Sequence, residues 1–139
     1  MAPVFRHRVR YHEADAQGFM FNSRFLELAD VGMTEYFRHL GLPYLDLVAG
    51  GMDPSVVRAV LDFKRPARFE DQLDVRVDCV RVGTSSFELH TEVLLEGELV
   101  ADLALTYVNV DATQAVARPL PDEVAARLRG DASSGAPAS

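Results

Sequence analysis

The chain has a single cysteine, Cys79, so no disulfide can close within its 139 residues, which agrees with a reducing compartment. It has no apolar run approaching the roughly 20 residues needed to cross a bilayer. Its start, MAPVFRHRVR, lacks the apolar middle of a secretion signal, because Arg6, His7, Arg8 and Arg10 interrupt it. A cytoplasmic protein is expected. Positive charge is also scarce: the formal charge is −7 at pH 7, which disfavours nucleic acid and anionic membrane surfaces, both of which are bound through basic faces. No G-x-S-x-G elbow, P-loop or G-x-G-x-x-G turn occurs, which sets aside α/β-type serine hydrolases and the common nucleotide-binding folds. His7, His12, His39 and His90 are dispersed, without H-x-x-x-H or Cys/His spacing, so no metal site is expected.

What is present is apolar residues in regular patterns. They make up 48 % of the chain, enough for one domain with its own core, placed at 1–129. Phe5, His7, Val9 and Tyr11 alternate with arginines as a strand with one covered face. The same period of two runs through Val57, Ala59, Leu61 and Phe63, then Leu73 to Cys79, then Phe87 to Leu95. Glu96-Gly97-Glu98 marks a tight hairpin. The strand after it, Leu99 to Val110, is apolar on both faces in places and is therefore either central or covered by a partner. Pro121 as first helical residue, Asp122 and Glu123 behind it, and Arg127 and Arg129 in the last turn predict a C-terminal helix. The remainder, 130–139, is rich in small residues and is expected to be disordered.

Between the first two strands, Phe25, Leu28, Ala29, Met33, Tyr36, Phe37 and Leu40 recur at helical spacing. Asn22 and Ser23 suit the N-cap, and Gly41 and Pro43 close the helix. At about 1.5 Å per residue it is nearly 30 Å long, enough to be the central core helix. Leu42 to Pro54 reads as a short helical piece and a loop. One long apolar helix against one sheet with a single apolar face is solved by curling the sheet around the helix. The fold class is α+β, a hot-dog architecture. Asp15 and Gly18 occupy the polar turn just ahead of that helix, which brings a carboxylate beside unpaired helix N–H groups, half of an acyl-transfer site.

The run Tyr11-His12-Glu13-Ala14-Asp15-Ala16-Gln17-Gly18, then Phe19, Met20, Phe21 and Asn22, resembles the entry motif of the 4-hydroxybenzoyl-CoA thioesterase branch of the hot-dog superfamily, aromatic-x-[DE]-x-D-x-x-G. The resemblance implies acyl-CoA thioester hydrolysis without a cofactor, in a homodimer or homotetramer with sites at the interface. It implies that Asp15 is the catalytic carboxylate, as nucleophile or as base for water, and that the backbone N–H of Asn22 polarises the thioester carbonyl. Gly18 and Phe21 fall to substrate binding, and Asp30 stands where members specific for hydroxybenzoyl groups read the ring hydroxyl. Those members hold coenzyme A phosphates on a basic turn. Here that turn, Gly83-Thr84-Ser85-Ser86, carries no cation, which leaves Arg81 nearby, the Thr84 and Ser85 hydroxyls and N–H groups, or Lys64, Arg65 and Arg68. Acyl carrier protein is the alternative carrier.

Plainer readings stand beside these. Asp15 by itself is an ordinary turn residue, Glu13 is solvated or paired with a strand-one arginine, and Cys79 is core filler. Glu27 and Glu35 read as surface or interface charges. The rival functions are a non-catalytic acyl-CoA-binding module on the same fold, and a hot-dog hydratase, which needs a histidine in the pocket.

Overall fold

A computed structural model describes residues 3–134. Among these residues are six strands, β1 (Phe5–Arg8), β2 (Pro54–Phe63), β3 (Gln72–Val82), β4 (Ser86–Leu95), β5 (Glu98–Asp111) and β6 (Val116–Ala117). Three α-helices accompany them, α1 (Asn22–His39), α2 (Tyr44–Ala49) and α3 (Asp122–Ser134). The sheet is antiparallel with order β1-β3-β4-β5-β2, and β6 folds back onto β5. Register shifts at Val56/Arg58, Cys79/Arg81 and Val93/Leu94 interrupt the ladders. Such bulges bend a strand and increase its twist, and the sheet curls around α1 in the expected hot-dog form.

The helix is seated by its apolar stripe. Phe25, Leu28, Ala29, Met33, Tyr36 and Phe37 are buried. Gly32 sits where a Cβ would meet Val77 Cγ2 at 3.2 Å, so its cost of roughly 1 kcal/mol in a helix allows close approach to β3. Farther along, Phe37 packs edge-on to Phe87, which stacks on Tyr107 with ring centres 5.1 Å apart.

Four expectations need correction or refinement. The first strand stops at Arg8 instead of Tyr11: Val9 donates to the Asp71 carbonyl at 2.8 Å, accepts from Glu70 at 3.0 Å, and the chain then enters a single 3-10 turn, Tyr11–Glu13. The strand β2 lacks the expected covered face. It lies at the sheet edge, paired only with β5, and meets α1 through Phe63, which packs edge-on to Phe25 with ring centres 5.5 Å apart, so Val57 remains 58 % exposed. Of the two readings of β5, the central one holds, since it lies between β4 and β2. Finally, α3 does not end at Arg129. Gly130 to Ser134 continue it, because the Asp131 carboxylate reaches the core, where it accepts the Tyr36 hydroxyl at 2.5 Å and the Cys79 N–H at 3.3 Å. The rest of the expected disordered tail, 135–139, lies outside the described residues.

A buried asparagine ties the open ends of these strands. Asn109 is fully buried; its Oδ1 accepts the Asp53 N–H at 2.8 Å, and its Nδ2 donates to the carbonyls of Gly51 at 3.1 Å and Pro119 at 3.0 Å. Removing the amide strands three backbone groups away from water. Asn109→Ala is therefore expected to lower stability by about 2–4 kcal/mol in urea titration with an unchanged slope. A loss below about 1 kcal/mol would mean that water replaces the amide.

Candidate active site

The segment between β1 and α1 is a small ladder. Glu13 accepts the Phe21 N–H at 2.8 Å, Ala14 bridges Met20, and Asp15 donates to the Phe19 carbonyl at 2.8 Å. The tip is the turn Asp15 to Gly18, closed by Gly18 N–H to the Asp15 carbonyl at 2.9 Å. Gly18 has φ +83, a conformation that glycine adopts without steric penalty. The Asp15 side chain is half-buried. Its Oδ1 accepts the N–H groups of Gln17 at 2.8 Å and Phe19 at 3.2 Å, and among the described residues Oδ2 accepts nothing. One oxygen thus orients the carboxylate and the other stays uncommitted.

Three residues farther on, α1 opens without a side-chain cap. The N-cap residue is Phe21, with φ −65 and ψ 141, and no side-chain hydrogen bond closes the helix end. Of the two residues suited to the N-cap, Asn22 is the first helical residue, next to the cap, and Ser23 is the second. The first N–H groups of a helix have no partner within it and carry the positive end of its dipole, so those of Asn22 and Ser23 are available to an anion.

Both features face one cleft of about 560 Å³, a size typical of small-molecule sites. Asp15, Phe21 and Asn22 line it together with Met20, Phe25 and Phe63, while Lys64 and Arg65 supply positive charge. Lys64 and Arg65 come from the β2–β3 connection, which is held against the ladder by Met20 N–H to the Ala67 carbonyl at 2.6 Å. Arg65 also pairs with Glu98, whereas Lys64 has no ion pair among the described residues. A second cleft of about 500 Å³ lies on the other side of the turn, between Tyr11, Phe69, Ala16 and Gly18, with Asp15 in its wall as well.

The remaining sequence-predicted residues lie elsewhere in the protomer. Arg81, Thr84 and Ser85 sit at the β3–β4 turn, where Thr84 and Ser85 accept the N–H groups of Leu120 and Asn109. That turn is at the end of β3 opposite the connection that lines the cleft, about 30 Å away at the rise of a strand. Asp30 is on α1, about 12 Å along the axis from Asn22, outside the cleft; it is exposed, with enough of the fold around it for burial to raise its carboxyl above the ordinary range. Glu27 and Glu35 form surface pairs with Arg24 and Arg38. Burial pushes the Cys79 thiol up to about 11, so it is no nucleophile at neutral pH.

Glu13 departs from its expected place. It is neither solvated nor paired with an arginine; it is buried, with Oε1 2.7 Å from His7 Nε2. The signal for this was His7 itself, which alternates in step with Phe5 and Val9 on the covered face and there needs a polar partner. Lys64 and Arg65, offered by the sequence as phosphate contacts, do line the cleft, whereas Phe63 could not be placed there by spacing, since about fifty positions of chain separate this segment from Asp15.

The match to known proteins covers this whole unit. Residues 9–128 fit the thioesterase-like superfamily. The 1,4-dihydroxy-2-naphthoyl-CoA hydrolase of Synechococcus sp. (strain CC9605) is 31 % identical over 122 residues, 84 % of this chain and 82 % of that relative. The acyl-CoA thioester hydrolase YbgC of Escherichia coli O157:H7 is 25 % identical over 123 residues, 88 % of this chain and 92 % of the relative. Among solved structures, a hypothetical protein from Thermus thermophilus superposes with a TM-score of 0.85 at 26 % identity, covering 91 % of this chain and 97 % of that one. Curled sheet, central helix and match along nearly the full length lead to one conclusion: the chain belongs to the thioesterase-like superfamily and has the hot-dog fold.

Proposed function

We propose that this chain hydrolyses acyl-CoA thioesters, with Asp15 as nucleophile or as base for water and the Asn22 N–H as donor to the oxyanion. The observation that carries the reading is the shared cleft: an oriented carboxylate and an uncapped helix N-terminus line the same space. Attack on a thioester carbonyl places negative charge on its oxygen, and preorganised N–H groups in a sheltered site stabilise that charge most. The departing thiolate is a good leaving group and barely needs an acid. One carboxylate and a helix end can then suffice.

Relatives named for acyl-CoA and dihydroxynaphthoyl-CoA substrates support coenzyme A as carrier and an aromatic acyl group among the substrates. Lys64 and Arg65 are the cations placed to meet the carrier's phosphates. Arg81, Thr84, Ser85 and Asp30 reach a substrate in this reading only across a subunit boundary. A homodimer is supported by β2, an edge strand that leaves Val56, Val57, Val60 and Phe63 exposed, and by Phe21, Leu26 and Val31 on and beside α1. No helix among the described residues is long and apolar enough to cross a membrane.

The test is free-thiol release from a panel of short-chain, long-chain and aromatic acyl-CoAs, with acyl carrier protein thioesters beside them. Turnover of at least one acyl-CoA, at kcat/KM above about 10⁴ M⁻¹s⁻¹, is the expected result. Tight acyl-CoA binding with no thiol release across the panel would mean a binding module instead.

A further inference from the structure

Glu13 is a carboxylate that the proposed chemistry does not use, yet the fold has withdrawn it from water. Its side chain is 8 % exposed and that of its partner His7 11 %. Oε1 lies 2.7 Å from His7 Nε2 and also accepts the Arg10 N–H at 2.7 Å. Burial alone would raise this carboxyl; the Arg10 N–H and His7 overcome that and hold it below the ordinary glutamate value. An ionised acid so placed is destabilising to desolvate unless its partners are well arranged.

The main chain of the same residue carries the first rung of the active-site ladder. Its carbonyl accepts the N–H of Phe21, the residue that opens α1. The next two rungs are Ala14 to Met20 and Asp15 to Phe19. The ladder has the acid at one end and the helix N-terminus at the other, so their separation is set by its rungs. Its foot is Glu13, fastened by the carboxylate to His7 on β1 and to the N–H that begins the 3-10 turn.

We infer that Glu13, gripped by His7, is a positioning residue: it fixes the ladder that sets the Asp15 carboxylate against the first N–H groups of α1. This rests on Asp15 being the catalytic carboxylate. It adds that His7 and Glu13, which touch neither substrate nor reacting atoms, are required for its rate. Loss of the grip frees the foot of the ladder, and misplacement of a reacting group by about 1 Å can cost about 100-fold in rate.

The test measures steady-state thiol release and thermal unfolding for Glu13→Ala, Glu13→Gln, His7→Ala, His7→Gln and Asp15→Asn, with kcat taken per folded protein well below each Tm. Glu13→Ala and His7→Ala are expected to lose about 10- to 100-fold in kcat with KM within about two-fold. His7→Gln, whose amide N–H can still donate to Glu13, is expected to recover most of that loss, and Glu13→Gln, which keeps an acceptor for the Arg10 N–H, to fall between. A role confined to stability moves Tm and leaves kcat of the folded protein alone. Folded Glu13→Ala, or His7→Ala should the former not fold, with kcat within two-fold of the parent would therefore overturn the inference. Asp15→Asn separates the two levels. If it is inactive while the Glu13 and His7 variants are unimpaired, only the positioning role fails; if it keeps full turnover, the reading of the site fails first.

Discussion

Replacing Asp15 with asparagine is expected to lower kcat by about 10²- to 10⁴-fold while KM and Tm stay nearly unchanged. The physical basis is that asparagine is isosteric and keeps a carbonyl oxygen where Oδ1 accepts the Gln17 and Phe19 N–H groups at 2.8 and 3.2 Å. The turn and the Gly18 closure survive, and with them the shape of the cleft. What disappears is the negative charge and basicity of the oxygen that no described residue occupies. The loss belongs to the transition state, so it appears in kcat and kcat/KM together. Retained turnover on a good thioester would remove Asp15 from the mechanism. A single turnover in ¹⁸O-labelled water reveals the nucleophilic role: attack by Asp15 forms a mixed anhydride and releases the thiolate, and water opening that anhydride at the Asp15 carbonyl carbon leaves the label in the protein and an enzyme oxygen in the product, an outcome that direct attack by water never gives.

The second large effect is expected at Phe21, and it takes opposite signs in stability and in rate. The end of α1 has no side-chain cap. Supplying one by Phe21→Asp satisfies a helix N–H and places a negative charge at the positive end of the dipole, which stabilises a helix by about 1 kcal/mol. The same carboxylate opposes the oxyanion that the helix end is there to receive, and loss of one oxyanion donor is worth about 10²- to 10³-fold in kcat. Phe21→Asp is therefore expected to melt higher and to turn over at least about 100-fold more slowly. Phe21 is also part of the apolar lining, so Phe21→Ala is the control: it removes the ring without the charge and is expected to raise KM more than it lowers kcat. Equal kcat in the Asp and Ala variants would show that the helix field has no part in the reaction. The missing cap is then a local sacrifice of stability at the place where the chemistry needs free N–H groups.

Much of the protein is set by short-range pattern. The stripe of Phe25, Leu28, Met33 and Phe37 can bury itself only as a helix, and the alternation in β3 and β4 only as strands. The pairing of Asp15 with the start of α1 belongs to the same class, because only six residues separate it from Asn22. In so short a segment the turn chemistry of Gly18 and the start of the apolar stripe already bring acid and helix end together. The Asp15–Gly18–helix spacing was thus legible from the residues themselves.

What only the tertiary structure decided is every relation between residues distant along the chain. The exposure of β2 depends on its place at the sheet edge and not on its own alternation, which reads the same as that of a covered strand. Phe63, Lys64 and Arg65 enter the cleft because the β2–β3 connection docks on the ladder at Ala67. Asp131 holds α3 to Tyr36 across a sequence separation of 95 residues, and a composition of small residues gives no sign of it. Asn109 and the Glu13–His7 pair are buried polar groups whose partners are chosen by packing. Local pattern sets which segments can shed water on one face; which faces meet, and which polar groups are then forced to find each other, is settled only when the sheet closes around α1.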